Sequence, residues 1–298
     1  MNNIRIKAGK DIYGIIKDNG FSLEMITAYF APASGPRWLV ASGFDLTLLD
    51  KGLLGKNKPL LLVGSSAGAF RFAAWLQPEA ADSYRKLMEA YISMPFRRKD
   101  TPARVLKTLS DVINSYLEYD ALPFALNEKR YQLAVITARA RNLVASEVKM
   151  IQRLGLGICF LMNWLDRSYL HNFVERVIFY TGAKPPDFCF RKGFLGRYVA
   201  LNEANFRHAV LASGAIPLVI AGVRDIYGAP AGVYRDGGLI DYHLTERYGS
   251  KQGEATLFFH HQERIIPGWL DKRRTSRKPE GDSLGNVLMV YPSPEFVA

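Results

Sequence analysis

Between Lys58 and Trp75 the chain reads KPLLLVGSSAGAFRFAAW. An apolar run stops at a glycine, shows two serines, and resumes as small residues. A short strand apolar on every side chain belongs in a sheet covered on both faces. The Ala-Gly-Ala that follows starts a helix able to pack tightly against its neighbours. Upstream, MITAYFAP (25–32) is β-branched and aromatic and ends at Pro32, which predicts another strand. WLVASGFDLTLLDKGLL then carries apolar residues at helical spacing up to Gly52 and Gly55. Strand, helix, strand, helix predicts a mostly parallel α/β sheet.

The rest of the chain fits that frame. Residues 10–20 read as a helix ending at Gly20, and 80–130 as helical, broken at Pro95, Pro102 and Pro123. YQLAVITARA (131–140) reads as a central strand and 153–180 as one or two helices. Residues 205–223 form a helix that breaks before Pro217. GVYRDGGLID (232–241) reads as a strand or hairpin ending in a glycine turn, and ATLFFHH and NVLMVYP as late strands. DKRRTSRKPEGDS (271–283) is polar and basic, the best candidate for disorder. No repeat or linker divides the chain, so 1–298 is read as a single domain.

Lys and Arg outnumber Asp and Glu by 39 to 28, a net charge of +11, which favours anionic partners. Two cysteines, Cys159 and Cys189, exclude a disulfide framework or a four-cysteine zinc site. The charge-interrupted N-terminus lacks the apolar core of a secretory signal. No run of about 18 apolar residues is present to span a membrane. A soluble, cytoplasmic protein is expected.

Gly64-Ser65-Ser66-Ala67-Gly68 is a G-x-S-x-G pattern at the end of a strand, where a sharp turn exposes a serine hydroxyl above the sheet. Ser66 fits this position; Ser65 points elsewhere. Serine needs a base to take its proton and donors to receive the oxyanion, and a helix starting after Ser66 aims its free N–H groups at that charge. His260 and His261 lie late enough to be the base of a Ser-His-Asp hydrolase, but no glycine turn presents them. Asp236, in Arg235-Asp236-Gly237-Gly238, is the stronger partner. Two glycines after the carboxylate release the backbone into a turn at a strand end. Each motif alone arises readily by chance; both in this order, each at a strand end, do not.

Over roughly residues 25–245 the chain resembles the patatin-like phospholipases, which pair a G-x-S-x-G serine with a D-G-G/A aspartate and use no catalytic histidine. The resemblance implies a three-layer αβα sandwich with extra helical segments between the two motifs. It assigns Ser66 as nucleophile and Asp236 as general base, with Gly64, Gly68, Gly237 and Gly238 shaping the turns. NFRHAVLASGAIPLVIAG (205–222) is similar to the family's small-residue segment between them. The family's oxyanion loop, G-G-G-x-R/K-G, is matched only at Gly35 and Arg37 of Ala33-Ser34-Gly35-Pro36-Arg37-Trp38. Pro36 has no N–H, but the Ser34 and Gly35 amides remain as donors and Arg37 as a positive charge nearby. One such donor is worth about 2.7–4 kcal/mol of barrier in other serine hydrolases.

The implied substrate is a lipid or phospholipid ester. The alternatives are a weak or inactive lipid-binding relative, on account of the altered loop, and a histidine-dependent esterase. Leu154–Leu165 is apolar and reads as a buried helix, with an acyl groove or bilayer contact as the other options. The basic clusters Arg97–Lys99 and Lys272–Lys278 suit transient contact with an anionic membrane surface. No finger, recognition-helix pattern or aromatic RNA motif points to nucleic acid. No cofactor is implied, and no His/Asp/Glu cluster shows metal-ligand spacing. The sequence leaves the oligomeric state open.

Overall fold

The ten-residue strand Tyr131–Ala140 organises the molecule. A computed structural model describes residues 3–297 apart from 96, 98, 192, 246, 248–252 and 280. Arg98, in the middle of the first basic cluster, therefore lies outside the described residues. In chain order the first elements are β1 (Ile4–Ala8), α1 (Lys10–Asn19), β2 (Ile26–Ala31), α2 (Ser42–Asp50), β3 (Leu60–Ser65) and α3 (Ala67–Trp75). Three helices follow, α4 (Ala80–Ile92), α5 (Pro102–Tyr116) and α6 (Leu122–Asn127), and then β4 (Tyr131–Ala140). The second half holds α7 (Lys149–Leu165), β5 (Val174–Tyr180), β6 (Arg197–Ala200), α8 (Phe206–Ser213), β7 (Val223–Arg224), β8 (Val233–Asp236), β9 (Ala255–Phe259) and β10 (Val287–Pro292).

One mixed sheet runs β1-β10-β9-β2-β3-β4-β5-β6, with β7 and β8 off this path. Its centre, from β10 to β4, is parallel; β1, β7 and β8 pair antiparallel, and β5 pairs antiparallel with β4 but parallel with β6. The molecule is thus a mixed α/β fold with helices around a mostly parallel sheet. The larger core lies under α1–α6 and α8, with Trp38, Phe72, Trp75 and Tyr116 buried in it. On the opposite face Phe30, Val63, Ile136 and Ile178 pack against loop residues Phe188, Phe194 and Leu244.

Three expectations are corrected. Residues 174–180 form a strand, not the end of a helix: VERVIFY is β-branched and aromatic, and pairs with β4 from Val174 to Tyr180. The basic loop after residue 270 is tied down, because buried Asp271 accepts from Asn163 of α7 at 2.7 Å, Arg167 at 2.7 Å and Arg277 at 2.8 Å. Helix α7 is buried on one face only. Gly155, Leu156 and Cys159 point inward, whereas Leu154, Leu161 and Leu165 are exposed. Among the described residues no helix is long and apolar enough to cross a membrane.

Strand β4 also decides where the two sequence motifs lie. β5 lines one of its edges from Ala134 to Ala140. The other edge is shared. β3 runs parallel to β4 and ends with Ser65 opposite Ile136. β8 runs the other way and ends with Asp236 opposite Thr137. The two strands meet head to head, so the turns leaving them converge.

Candidate active site

Ser66 sits between β3 and α3 with φ 56° and ψ −126°, a conformation costly for a residue with a side chain and typical of strained functional turns. The surroundings hold it there. Its N–H donates to Ser213 Oγ at 2.8 Å, and that hydroxyl donates to the Ile136 carbonyl at 2.7 Å. The Asp236 N–H donates to the Ala215 carbonyl at 3.0 Å. The segment around Ser213 thus braces both motifs, a role for Ser213 that no spacing in the sequence announces.

The four motif glycines are required by close approach. A Cβ on Gly64 lies 2.7 Å from the Ala69 backbone, and one on Gly68 lies 1.8 Å from the Ala31 carbonyl oxygen. On Gly237 it meets the Ile136 oxygen at 2.2 Å, and on Gly238 the Asp236 Oδ1 at 2.8 Å. Neither Gly237 nor Gly238 has positive φ, so the D-G-G pair serves contact rather than the backbone freedom expected from the sequence.

Ser66 Oγ donates to Asp236 Oδ2 at 2.6 Å, between residues 170 apart in sequence. Asp236 Oδ1 accepts from the Gly238 N–H at 2.7 Å. Among the described residues no cation touches this buried carboxylate. Burial raises its pKa from 3.8 to about 6, opposed by the two hydrogen bonds and by the charge of Lys272. Ser65 points away; its hydroxyl is buried, without a partner, against Gly237. None of the five histidines hydrogen-bonds to Ser66.

Ser34, Gly35 and Arg37 line the same cavity of about 190 Å³ as Ser66 and Asp236. Gly35 has φ 54°, where glycine is at ease and other residues are strained. Among the described residues the amides of Ser34 and Gly35 donate to no backbone acceptor outside the Gly35–Ala41 turn. The Arg37 guanidinium turns back to the Ser34 carbonyl at 3.3 Å and the Tyr242 hydroxyl at 3.2 Å, so it braces the loop. The same cavity is lined by Trp269 and Lys272, and the ammonium lies 4.5 Å from the Tyr242 ring centre and 5.6 Å from that of Trp269. The sequence marked Lys272 only as part of a basic loop.

A second cavity, about 570 Å³, also reaches Ser66 and is walled by Leu39, Phe70, Tyr91, Leu109 and Ile216. Ser66, Gly35, Pro36 and Ile216 belong to both cavities. Ser66 thus lines both a largely apolar cavity and a small chamber that Arg37 and Lys272 also line.

Behind Tyr242, the fold gathers His243, His260 and His261, all buried, with ring nitrogens within 4.8 Å of one another. Sequence spacing did not show this group. Burial lowers all three pKa values, that of His260 to about 4 and of His261 to about 3, so the rings are neutral at pH 7. The Ile266 N–H donates to His243 Nδ1 at 2.8 Å. That contact puts the ring proton on Nε2, so His243 presents no lone pair to a cation, and Arg37 and Lys272 add positive charge nearby. The group is read as packing behind Tyr242, which stacks on His243 at 4.4 Å.

No family model matches the chain, and no curated protein matches it.

Proposed function

We propose that this chain is a serine acyl hydrolase acting on lipid esters, of the patatin-like kind, with Ser66 as nucleophile and Asp236 as general base. The observation that carries the reading is the 2.6 Å hydrogen bond from Ser66 Oγ to Asp236 Oδ2, within the reach a base needs. Asp236 takes the hydroxyl proton as Oγ attacks the ester carbonyl. The amides of Ser34 and Gly35 and the N-terminus of α3 stabilise the oxyanion. Asp236 then protonates the leaving alcohol, and an acyl-enzyme remains on Ser66. Water, deprotonated by the same carboxylate, attacks the acyl-enzyme and frees the acid.

The two cavities support a lipid over a small ester. An acyl chain suits the apolar cavity, and the alcohol portion of the lipid, bearing a phosphate or other polar group, suits the chamber beside Lys272. Turnover of p-nitrophenyl esters of increasing acyl length, and of phospholipid, tests the reading. Long acyl chains are expected to be preferred, with Ser66→Ala and Asp236→Ala each abolishing cleavage. Liposome binding without turnover of any ester selects the non-catalytic alternative. Activity kept by Asp236→Ala and lost in His260→Ala or His261→Ala selects a histidine base.

A further inference from the structure

Helix α7 is apolar on two opposite faces. Its inner face, with Gly155, Leu156 and Cys159, packs in a core that also holds Leu239, Ile240 and Trp269. Its outer face carries Met150, Leu154, Ile158, Leu161, Trp164 and Leu165 at i, i+4, i+8, i+11, i+14 and i+15, one continuous stripe. Met150 is 76% exposed, Leu161 63% and Leu165 73%. Between Leu154 and Leu165 there is no charged residue. A helix with an apolar stripe on each of two opposite faces is ordinarily covered on both or lies with one in lipid.

The charges bordering the stripe indicate what covers it. Lys149 and Arg153 are exposed along one flank of the helix. At its C-terminal end the Arg274 guanidinium donates to the Trp164 carbonyl and lies 5.0 Å from the Trp164 ring centre. Asp271 accepting from Asn163 holds the same loop to the helix, and this loop exposes Lys272, Arg273 and Lys278. A second copy of the chain would set these cations against their own images, a repulsion that a net charge of +11 reinforces. An anionic lipid surface offers the apolar layer and the counter-charge together.

We propose that the outer face of α7 and the basic loop after Asp271 form a docking surface for anionic bilayers. The proposal deepens the lipid-hydrolase reading and rests on it for its purpose. Leu239 and Trp269 both pack under α7 and line the Ser66 chamber, so docking brings the chamber beside the headgroups. Tilting the stripe into the acyl boundary also places Trp164 at the depth where indole rings settle.

Vesicle sedimentation tests the surface without turnover, in the Ser66→Ala background. Binding to phosphatidylcholine vesicles containing about one third phosphatidylglycerol is expected, with a blue shift of Trp164 emission that Trp164→Leu removes. The Leu154→Ser, Leu161→Ser, Leu165→Ser triple variant is expected to bind at least about tenfold more weakly at unchanged Tm. Lys149→Gln and Arg153→Gln are each expected to weaken binding about fivefold, an effect erased by high salt. Absence of vesicle binding, equal binding by the triple variant, or equal binding to pure phosphatidylcholine would overturn the proposal. So would a native dimer that the triple variant turns into a monomer. Because no step needs catalysis, an enzyme dead on every ester can still pass, and an active one can still fail.

Discussion

Two buried aspartates, Asp45 and Asp236, occupy sites of opposite character. Asp45 is saturated. It pairs with the Arg71 guanidinium at 2.7 Å and accepts from the Tyr29 hydroxyl at 2.6 Å and the Tyr84 hydroxyl at 2.5 Å. Asp236 accepts one hydroxyl and one amide and, among the described residues, has no cation in contact. A buried carboxylate with its full set of donors ties helices together. One left short of charge compensation stays close to taking a proton, which suits a general base. Arg71 lies one turn along α3 from Ser66, so the saturated site anchors the helix whose N-terminus faces the poised one.

Exchanging either acid for its amide separates these roles, and the largest effect falls on the poised one. Asp236→Asn is expected to lower kcat about 10²–10⁴-fold or more while leaving the fold intact. Asp45→Asn leaves Arg71 buried without its counter-ion. It is expected to cost about 3–5 kcal/mol of stability, read by urea denaturation, with kcat per folded molecule little changed. If Asp45→Asn alone silenced turnover at full stability, the division of labour would be wrong.

Titration sharpens the contrast next. The folded pKa of Asp236 is raised to about 6, so the protonated form is the one folding favours. Its contribution to stability is present below about pH 4 and is lost as pH rises through 6, a change of about 3 kcal/mol that Asp236→Asn is expected to remove. Activity runs the other way, since the base must be ionised. A single acid limb near pH 6 is expected in kcat/KM. His243, His260 and His261 are uncharged across that range and contribute no limb.

The smallest effect concerns the brace between the two motifs. Ser213→Ala removes the acceptor of the Ser66 N–H, leaving a buried donor unpaired beside a strained backbone. It is expected to cost about 1–3 kcal/mol of stability and to lower kcat by about tenfold, more than it raises KM. An unchanged kcat would show that the strained turn holds without it.

Much of this was legible in the residues. The wholly apolar KPLLLV, the Gly-Ser-Ser-Ala-Gly turn and the small-residue helix announced β3, the elbow and α3, because burial on both faces and close approach leave few other residue choices. The D-G-G turn marked a strand end by the same logic. The sheet pairing that joins them was not legible. A partner 170 residues away depends on β8 filling the unused half of one edge of β4, and nothing local encodes that. VERVIFY was masked by the helical stretch before it, since a short apolar run carries little period of its own. Ile4–Ala8 alternates apolar and charged residues over only five positions and lies exposed at the sheet edge, so the short pattern marked no core. The histidine group was invisible because its members come from two separate loops, and Asp271 because one buried acid among basic residues reads as solvated.

The most direct measurement is covalent labelling by a fluorophosphonate, located by mass spectrometry of the intact chain and its peptides. The label is expected on Ser66 alone, absent in Ser66→Ala, much slower in Asp236→Asn, and rising with pH through about 6 in the native chain. Label at another residue, or undiminished labelling after Ser66→Ala or Asp236→Asn, would contradict the pairing of these two side chains as a catalytic dyad.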